Sequence, residues 1–265
     1  INAKKIHTDA YLQEVSAGGN RYPKAKKDFV DAIELGALVI DYYGHGGEYG
    51  FAQERLYEIN EAVNLNNYDN LPLFITMTCD FSRFDNPYLQ TGGEFTFWNP
   101  TGGAINLVTT TRLIGVTSAS NINDEFNFYL YENSDTNNPL NTIGEALRKA
   151  KNGTTSQDRR VVFNIGDPAL MLAIPRPKVV LTKINDVDVS QPTDVLNALS
   201  YVTLTGEVRN VFNNLQSNYN GDLAVQIFDK NIQRQTLGND GVTNGAGDLI
   251  LMDFTTLGET IFRGN

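Results

Sequence analysis

The sequence predicts an α/β fold with a mostly parallel sheet over residues 1–174, followed by an all-β domain over residues 175–265. In the first part, short apolar runs alternate with helical patterns, as in a parallel sheet that is covered by helices. In the second part, short strand-like runs lie between turns rich in glycine and asparagine, which is typical of an antiparallel sandwich. The sequence Pro-Arg-Pro at 175–177 separates the two patterns and indicates a linker.

The strands of the first part are predicted from nearly unbroken apolar runs, because strands buried on both faces of a sheet have this pattern. Four such runs lie at 36–43, 71–78, 103–111 and 161–165. Two intervening segments lack a clear pattern: residues 16–20 fit a loop, and residues 53–66 fit a loop with a short helix.

Three helices are predicted from apolar spacing and from the residues at their ends. The first covers 23–35, with Gly36 as the residue that follows its end. The second covers 122–131. The third begins after Thr142, whose spacing to Glu145 fits a capping box, and continues to about residue 151.

The all-β domain is predicted to begin directly after the linker. Its strand candidates lie at 179–184, 199–208, 222–228 and 250–254. The last segment, 259–265, has no clear closing element, so we expect this domain to be incomplete. The first residue is Ile1, and neither a leader nor an initiator methionine precedes it, which indicates a fragment or a processed product.

Composition excludes several classes of function. The chain has 21 basic and 31 acidic side chains and a net charge of −10, which argues against a nucleic-acid partner, because nucleic acids bind basic faces. One cysteine allows no intrachain disulfide, and one cysteine with two histidines is too few for the usual zinc site. No cofactor is expected. Calcium is an open alternative, with Asp80, Asp85 and Glu94 as candidate ligands that could equally be solvated acids.

The positions of His45 and Cys79 carry the chemical argument. Each residue lies just past the end of a predicted buried strand. Sites in open parallel sheets form beyond the carboxyl ends of the strands, so the two side chains meet if these strands are neighbours. A thiol becomes a competent nucleophile when a nearby imidazole takes its proton. The pairing of the strands does not follow from the sequence alone.

The glycines beside His45 suit a catalytic loop, because glycine lets the backbone approach a substrate closely. The amide of Gly46 is a candidate oxyanion donor, and the amide of Cys79 is a second one. Gly47 and Asp80 are candidate substrate contacts. The plainer alternative is that Cys79 is a small buried residue and that His45 only occupies a turn. The other histidine, His7, is interpreted as structural or exposed.

Two glycine-containing segments are interpreted as structural. Gly166-Asp167-Pro168 fits a tight turn in which the aspartate bonds its own backbone. The pairs Gly92-Gly93 and Gly102-Gly103 lack the strand and helix that flank a phosphate-binding loop.

The motifs YGHGG at 43–47 and TCDFS at 78–82 resemble the histidine and cysteine motifs of the gingipain-type cysteine peptidases, which have a caspase-like fold. Several other stretches are similar to one branch of that family, the PorU signal peptidases (sortases) of the type IX secretion system. They are GGNRYP at 18–23, QER at 53–55, FSRFD at 81–85, GGE at 92–94, TTTR at 109–112, GDPAL at 166–170 and, more weakly, IFRG at 261–264.

The resemblance implies a caspase-like three-layer sandwich, of which residues 1–174 are the C-terminal part, followed by an immunoglobulin-like domain. It implies His45 and Cys79 as the catalytic pair and Gly46 as an oxyanion-hole residue. It further implies removal of C-terminal secretion signals from cargo at the outer-membrane surface of a Gram-negative bacterium. The partners would be other secretion components and possible lipopolysaccharide acceptors of the acyl group.

One departure from the family pattern bears on activity. Family members carry a further stretch of the caspase-like domain before this point, which leaves open whether this chain is active by itself. A second hypothesis therefore stays beside the peptidase: a catalytically inactive interaction or scaffold module at the cell surface. Cleavage preference, and the choice between hydrolysis and transpeptidation, do not follow from the sequence.

Overall fold

A computed structural model describes residues 3–132, 139–174, 176–192, 196–197, 200–221, 223, 225–237 and 243–264. The strands of the first part are β1 (Glu14–Ser16), β2 (Gly19–Arg21), β3 (Val39–Tyr43), β4 (Gly46–Gly47), β5 (Gly50–Phe51), β6 (Tyr57–Glu58), β7 (Leu73–Met77), β8 (Asn106–Thr110) and β9 (Val162–Ile165). The helices are α1 (Pro23–Glu34), α2 (Ile59–Asn64), α3 (Gly92–Trp98), α4 (Val116–Tyr131) and α5 (Ile143–Gly153). No helix among the described residues has the length and hydropathy needed to span a bilayer.

A four-stranded sheet in the order β3-β7-β8-β9 forms the centre of this part. Strands β3, β7 and β8 are parallel to one another, as the buried apolar runs predict. Strand β9 is antiparallel to β8, so the sheet is mostly and not wholly parallel. The parallel pairs are what position the loops that leave the carboxyl ends of β3 and β7.

Two buried cores lie on opposite faces of the sheet and make the part a three-layer sandwich. Alternate residues of β7 point to opposite sides, because successive side chains of a strand do so. Leu73 and Ile75 pack with helices α4 and α5, whereas Phe74 packs with α1, α2 and the small sheet β4-β5-β6. This double burial explains why β7 is apolar at every position except Thr76, whose hydroxyl is also buried.

Three local predictions differ from the structure, and a fourth is confirmed. Helix α4 begins at Val116 and not at 122, because its first turn has no side-chain cap that could be read from the sequence. Residues 16–20 include the turn of the β1–β2 hairpin. Strand β6 lies within 53–66, where a loop with a short helix was expected, and strands β4 and β5 lie before that segment, where no strand was predicted. The cap at Thr142 is confirmed, since its side chain accepts a hydrogen bond from the Glu145 amide.

The β-rich part forms three small sheets. Its strands are β10 (Lys178–Ile184), β11 (Val187–Asp188), β12 (Leu204–Arg209), β13 (Val225–Phe228), β14 (Ile232–Leu237), β15 (Leu251–Thr256) and β16 (Thr260–Gly264). They pair as β11-β10-β12, β13-β16 and β14-β15. All of these pairs are antiparallel, as predicted. Parts of two predicted strands, at 199 and at 222 and 224, and the linker residue 175 lie outside the described residues.

The β-rich part has a different packing from the α/β part. Among its described residues, no side chain is fully buried, and large apolar side chains such as Tyr201 and Phe212 are exposed. The immunoglobulin-like sandwich therefore stays a prediction. This part contacts the beginning of the chain, where Asp9 accepts hydrogen bonds from Thr236 and Leu237, and the Arg234 guanidinium lies 4.8 Å from the centre of the Tyr11 ring.

Candidate active site

The His45 loop leaves the end of β3 and turns directly into the β4–β5 hairpin. Two donors hold the carbonyl of His45: the Tyr42 hydroxyl at 2.6 Å and the Ala52 amide at 2.8 Å. The Tyr42 ring stacks on Phe51 with their centroids 4.1 Å apart. The backbone of His45 is thus fixed while its imidazole is exposed at the sheet edge.

Cys79 leaves the end of β7 in the same way. Strands β3 and β7 are hydrogen-bonded neighbours, and Tyr43 stands opposite Met77 in their register. His45 and Cys79 are therefore each two residues beyond a matched pair of strand ends. Adjacent strands lie about 4.8 Å apart, so both loops begin side by side at one edge of the sheet. Cys79 is half-buried, and its Sγ lies 4.0 Å from the carbonyl oxygen of Ile114.

Two backbone amides at this edge are free of the sheet. Because Ala52 donates to His45, the next pair along the hairpin, Gly46 and Phe51, is of the non-hydrogen-bonded type. The Gly46 amide therefore points away from β5. Among the described residues, no backbone hydrogen bond uses the Cys79 amide. These are the two amides that the sequence indicated as oxyanion donors.

Buried hydroxyls anchor the loop that carries Cys79. Thr76 donates to Thr109 at 2.7 Å, and Thr109 is 2.9 Å from the Ser82 hydroxyl. The Thr110 hydroxyl donates to the carbonyl of Thr78, directly before the cysteine. All five side chains are fully buried. The chain therefore enters and leaves Cys79 between fixed points, at Thr78 and at Ser82.

Replacing Thr109 by valine is expected to lower the free energy of unfolding by about 1–3 kcal/mol, because two buried hydroxyls lose their partner. Urea unfolding measures this loss. Thr255→Val is the matched control, since Thr255 is exposed and its hydroxyl donates to the Gln233 side chain at the surface, and a surface change of this kind stays within about 0.5 kcal/mol. Equal losses in the two variants would mean that the hydroxyl chain does not stabilise the loop.

Asp80 and Gly47 both lie beside the candidate pair. Asp80 has a positive φ of 55°, which is uncommon for a residue with a side chain, and its carbonyl accepts a hydrogen bond from the Arg83 amide. Its charge acts on Arg112, which forms a two-point ion pair with Asp85. Hydrogen bonds from Arg112 hold the pKa of the Asp85 carboxyl below its ordinary value. Gly47 has open space around its Cα, so a substrate chain could approach it.

Two of the three candidate calcium ligands, Asp85 and Glu94, have partners in the protein. Asp85 pairs with Arg112, and Glu94 caps its own helix by accepting from Thr91. No group of three histidine, cysteine or acidic side chains in the described part of the chain is arranged to hold a metal. The turn at Gly166-Asp167-Pro168 is confirmed, because the Asp167 side chain accepts from the amide of Ala169.

Contacts between the two loops were missed by the sequence analysis. The turn of the β4–β5 hairpin includes Glu48, whose carboxylate accepts from Asn86 at 2.9 Å and lies 3.5 Å from Arg83. Its carbonyl accepts from the amide of Gly92 at 2.7 Å. A Cβ at Gly92 would meet the Phe81 ring at 2.7 Å, so glycine permits this approach. The sequence offered one signal for this contact residue, which is that Glu48 directly follows the histidine motif at 43–47.

A sheet between two buried cores, with a histidine and a cysteine beyond the ends of neighbouring strands, is the arrangement of this part of the chain, and its fold is similar to the caspase-like fold of the gingipains. The chain belongs to peptidase family C25, the gingipain family, whose model matches residues 1–173. Comparison with curated protein sequences gave no match.

Solved structures of RgpB and of PorU are among those similar to this chain. The complex of the pro- and mature domains of RgpB from Porphyromonas gingivalis has a TM-score of 0.50 and 19% identity over 89% of this chain and 51% of that chain. The Arg-specific cysteine proteinase gingipain R (RgpB) gives 0.48 and 18% identity over 89% and 50%. Dimeric latent PorU from Porphyromonas gingivalis gives 0.28 and 20% identity over 96% and 21%. The chain thus spans about half the length of the RgpB chains it matches.

Proposed function

We propose that this chain carries the catalytic pair of a cysteine endopeptidase, with Cys79 as nucleophile and His45 as general base. The observation that carries the proposal is the strand register. Tyr43 and Met77 are paired, and the histidine and the cysteine each follow two residues later. Membership of peptidase family C25 supports a thiol mechanism over other uses of this arrangement.

The mechanism follows from these groups. The His45 imidazole takes the proton of the Cys79 thiol, and the thiolate forms a bond to the carbonyl carbon of the scissile peptide. The Gly46 and Cys79 amides donate to the oxyanion that develops. The imidazolium then gives its proton to the leaving amine as the C–N bond breaks, which leaves a thioester on Cys79. Water, or a second amine in place of the one that left, then attacks the thioester, which releases the acyl group and regenerates the thiol. The groups named here need no cofactor.

We further propose that the substrates are type IX secretion cargo proteins, cut where a C-terminal secretion signal begins. Support comes from the stretches that resemble the PorU branch, among them 18–23, 81–85 and 109–112. An amine of lipopolysaccharide is the proposed acceptor when the acyl group is transferred. The proposed location is the outer-membrane surface of a Gram-negative bacterium, with other secretion components as partners. Residues 175–265 are proposed to belong to an immunoglobulin-like domain.

The test is to trap the acyl-enzyme. The protein is mixed with a cargo fragment that carries its C-terminal signal, quenched in acid, and analysed by intact mass. We expect a covalent adduct on Cys79 equal to the cargo without its signal. Cys79→Ala should form no adduct and release no signal peptide. Signal release that persists in Cys79→Ala would contradict the proposed nucleophile, and the absence of any adduct or release in the unaltered protein would contradict the substrate class.

A scaffold role is the second candidate, favoured by the exposed apolar side chains of the β-rich part. Ile261 and Phe262 on β16 and Leu251 and Met252 on β15 are all more than half exposed. Exposed apolar surface on a sheet is typical of interaction surfaces. A scaffold predicts a thiol of ordinary, slow reactivity, whereas a peptidase predicts a thiol activated by His45.

A further inference from the structure

We infer that Glu48 is a positioning residue, which sets the placement of the His45 loop relative to the Cys79 loop; this inference rests on the proposed function. Glu48 lies three residues after His45, in the turn of the hairpin. The segment it contacts follows Cys79. Its Oε1 accepts from the Asn86 side-chain amide at 2.9 Å, and its carbonyl oxygen accepts from the Gly92 amide at 2.7 Å.

The link from Asn86 back to the nucleophile is short. The backbone amide of Asn86 donates to the carbonyl of Arg83, and the backbone amide of Arg83 donates to the carbonyl of Asp80, each at 3.1 Å. Two successive turns therefore connect Asn86 to Asp80, the neighbour of Cys79. Through Glu48, the loop that carries the base and the loop that carries the nucleophile are joined beyond the end of the sheet that β3 and β7 share.

The hydrogen bond to Asn86 is the stronger of the two side-chain contacts. The Arg83 guanidinium is 3.5 Å from the carboxylate and its side chain is 44% exposed, so this ion pair adds little. The Glu48 side chain is only 21% exposed, and its bond to Asn86 is partly shielded from water. Glutamine can keep that bond, whereas aspartate is one methylene shorter and alanine has no acceptor. The variants Glu48→Gln, Glu48→Asp and Glu48→Ala therefore separate the effect of side-chain length from the effect of charge.

The experiment measures the rate at which iodoacetamide alkylates Cys79 between pH 5 and 9. A misplacement of about 1 Å can cost up to about a hundredfold in rate. We expect Glu48→Ala and Glu48→Asp to lower the rate at pH 6 by about tenfold or more, while the rate at pH 9 stays within about twofold, because a free thiol ionises there unaided. Glu48→Gln should stay within about twofold of the unaltered protein across the range.

Two further variants test the contact itself. Asn86→Ala should reproduce the pH profile of Glu48→Ala, and the double variant should be no slower than either single one, since both remove the same bond. Glu145→Ala is the control: Glu145 pairs with Arg148 on the exposed side of α5 and touches neither loop. Urea unfolding checks each variant, and Asn86→Ala and Glu48→Asp carry the comparison if Glu48→Ala does not fold.

The outcomes distinguish this inference from the proposed function. His45→Ala is measured in parallel. If it leaves the alkylation profile unchanged, the pair is not coupled, and both the proposed function and the role of Glu48 are overturned. If the alkylation rate of Cys79 at pH 6 falls in His45→Ala but is unchanged in Glu48→Ala and Asn86→Ala, the proposed function stands and the inference about Glu48 fails. A Gln variant as slow as the Ala variant also overturns it, because the bond to Asn86 would then not be the cause.

Discussion

Replacing His45 by alanine is expected to slow the alkylation of Cys79 by iodoacetamide by about a hundredfold at pH 6, because general bases contribute about 10²- to 10⁴-fold. A free thiol has a pKa of about 8.5, so without the imidazole little thiolate exists at pH 6. The difference should shrink towards pH 9, where the thiol ionises without help. A stopped-time mass measurement of the alkylated fraction gives the rate at each pH.

His7 offers the matched control for this variant. It is the other histidine of the chain, it is exposed, and its ring packs edge-on against Phe254 at 4.7 Å, in the β-rich part. His7→Ala should therefore leave the alkylation profile of Cys79 unchanged. If His45→Ala were as fast as His7→Ala at pH 6, no activated pair would exist in the protein, and the scaffold hypothesis would become the better one.

The strands that position the pair were predictable from their apolar runs, although only β7 is buried at all five of its positions and β3 is partly exposed. The run at 71–78 contains β7, and the run at 36–43 contains β3. Burial on both faces, as in β7, selects apolar residues at most positions, and this pattern can be recognised in one sequence without knowing which strands are neighbours. The ends of the strands were also marked, since the apolar pattern stops at Gly44 and at Cys79. Chemistry placed at strand ends was thus accessible from the sequence.

The relation between those strands was not predictable. Adjacency of β3 and β7, and the register that pairs Tyr43 with Met77, depend on contacts between distant segments. Strand β9 illustrates the limit: it contains apolar residues as β8 does, yet it runs antiparallel to β8. The sequence of a strand indicates whether the strand is buried, but it does not indicate whether a neighbouring strand is parallel or antiparallel.

Short elements and loop contacts were missed for a second reason. Strands β4 and β5 have two residues each, too few for a periodic pattern. In the sequence, Glu48 cannot be distinguished from a solvated turn residue, because its contact with Asn86 is visible only in the structure. Gly92 was interpreted only as lacking a phosphate-loop context, whereas its role is to let the hairpin turn and the Phe81 ring approach α3.

Gly46→Ala is expected to slow acylation by the cargo substrate by about a hundredfold to a thousandfold, the range known for loss of one oxyanion donor. A Cβ at this position would lie 2.4 Å from Oγ1 of Thr78 and 2.9 Å from the carbonyl oxygen of Gly50. Contacts this short force the hairpin to shift, which displaces the Gly46 amide. At Gly47 a Cβ meets nothing within 4 Å, so Gly47→Ala should leave kcat within about threefold, and any change in KM reports the expected substrate contact there.

Thr78 makes this prediction sharper. Its hydroxyl oxygen is buried and has no hydrogen-bond partner in the described part of the chain, so Thr78→Ala removes the nearest obstacle without breaking a bond. The double variant Gly46→Ala/Thr78→Ala should regain part of the lost acylation rate and not all of it, because the Gly50 carbonyl still blocks the site. Alkylation by iodoacetamide forms no oxyanion and should fall much less than acylation in Gly46→Ala. An equal loss of both rates would instead mean that the added methyl group displaces His45 itself, and that the Gly46 amide has no separate part in the chemistry.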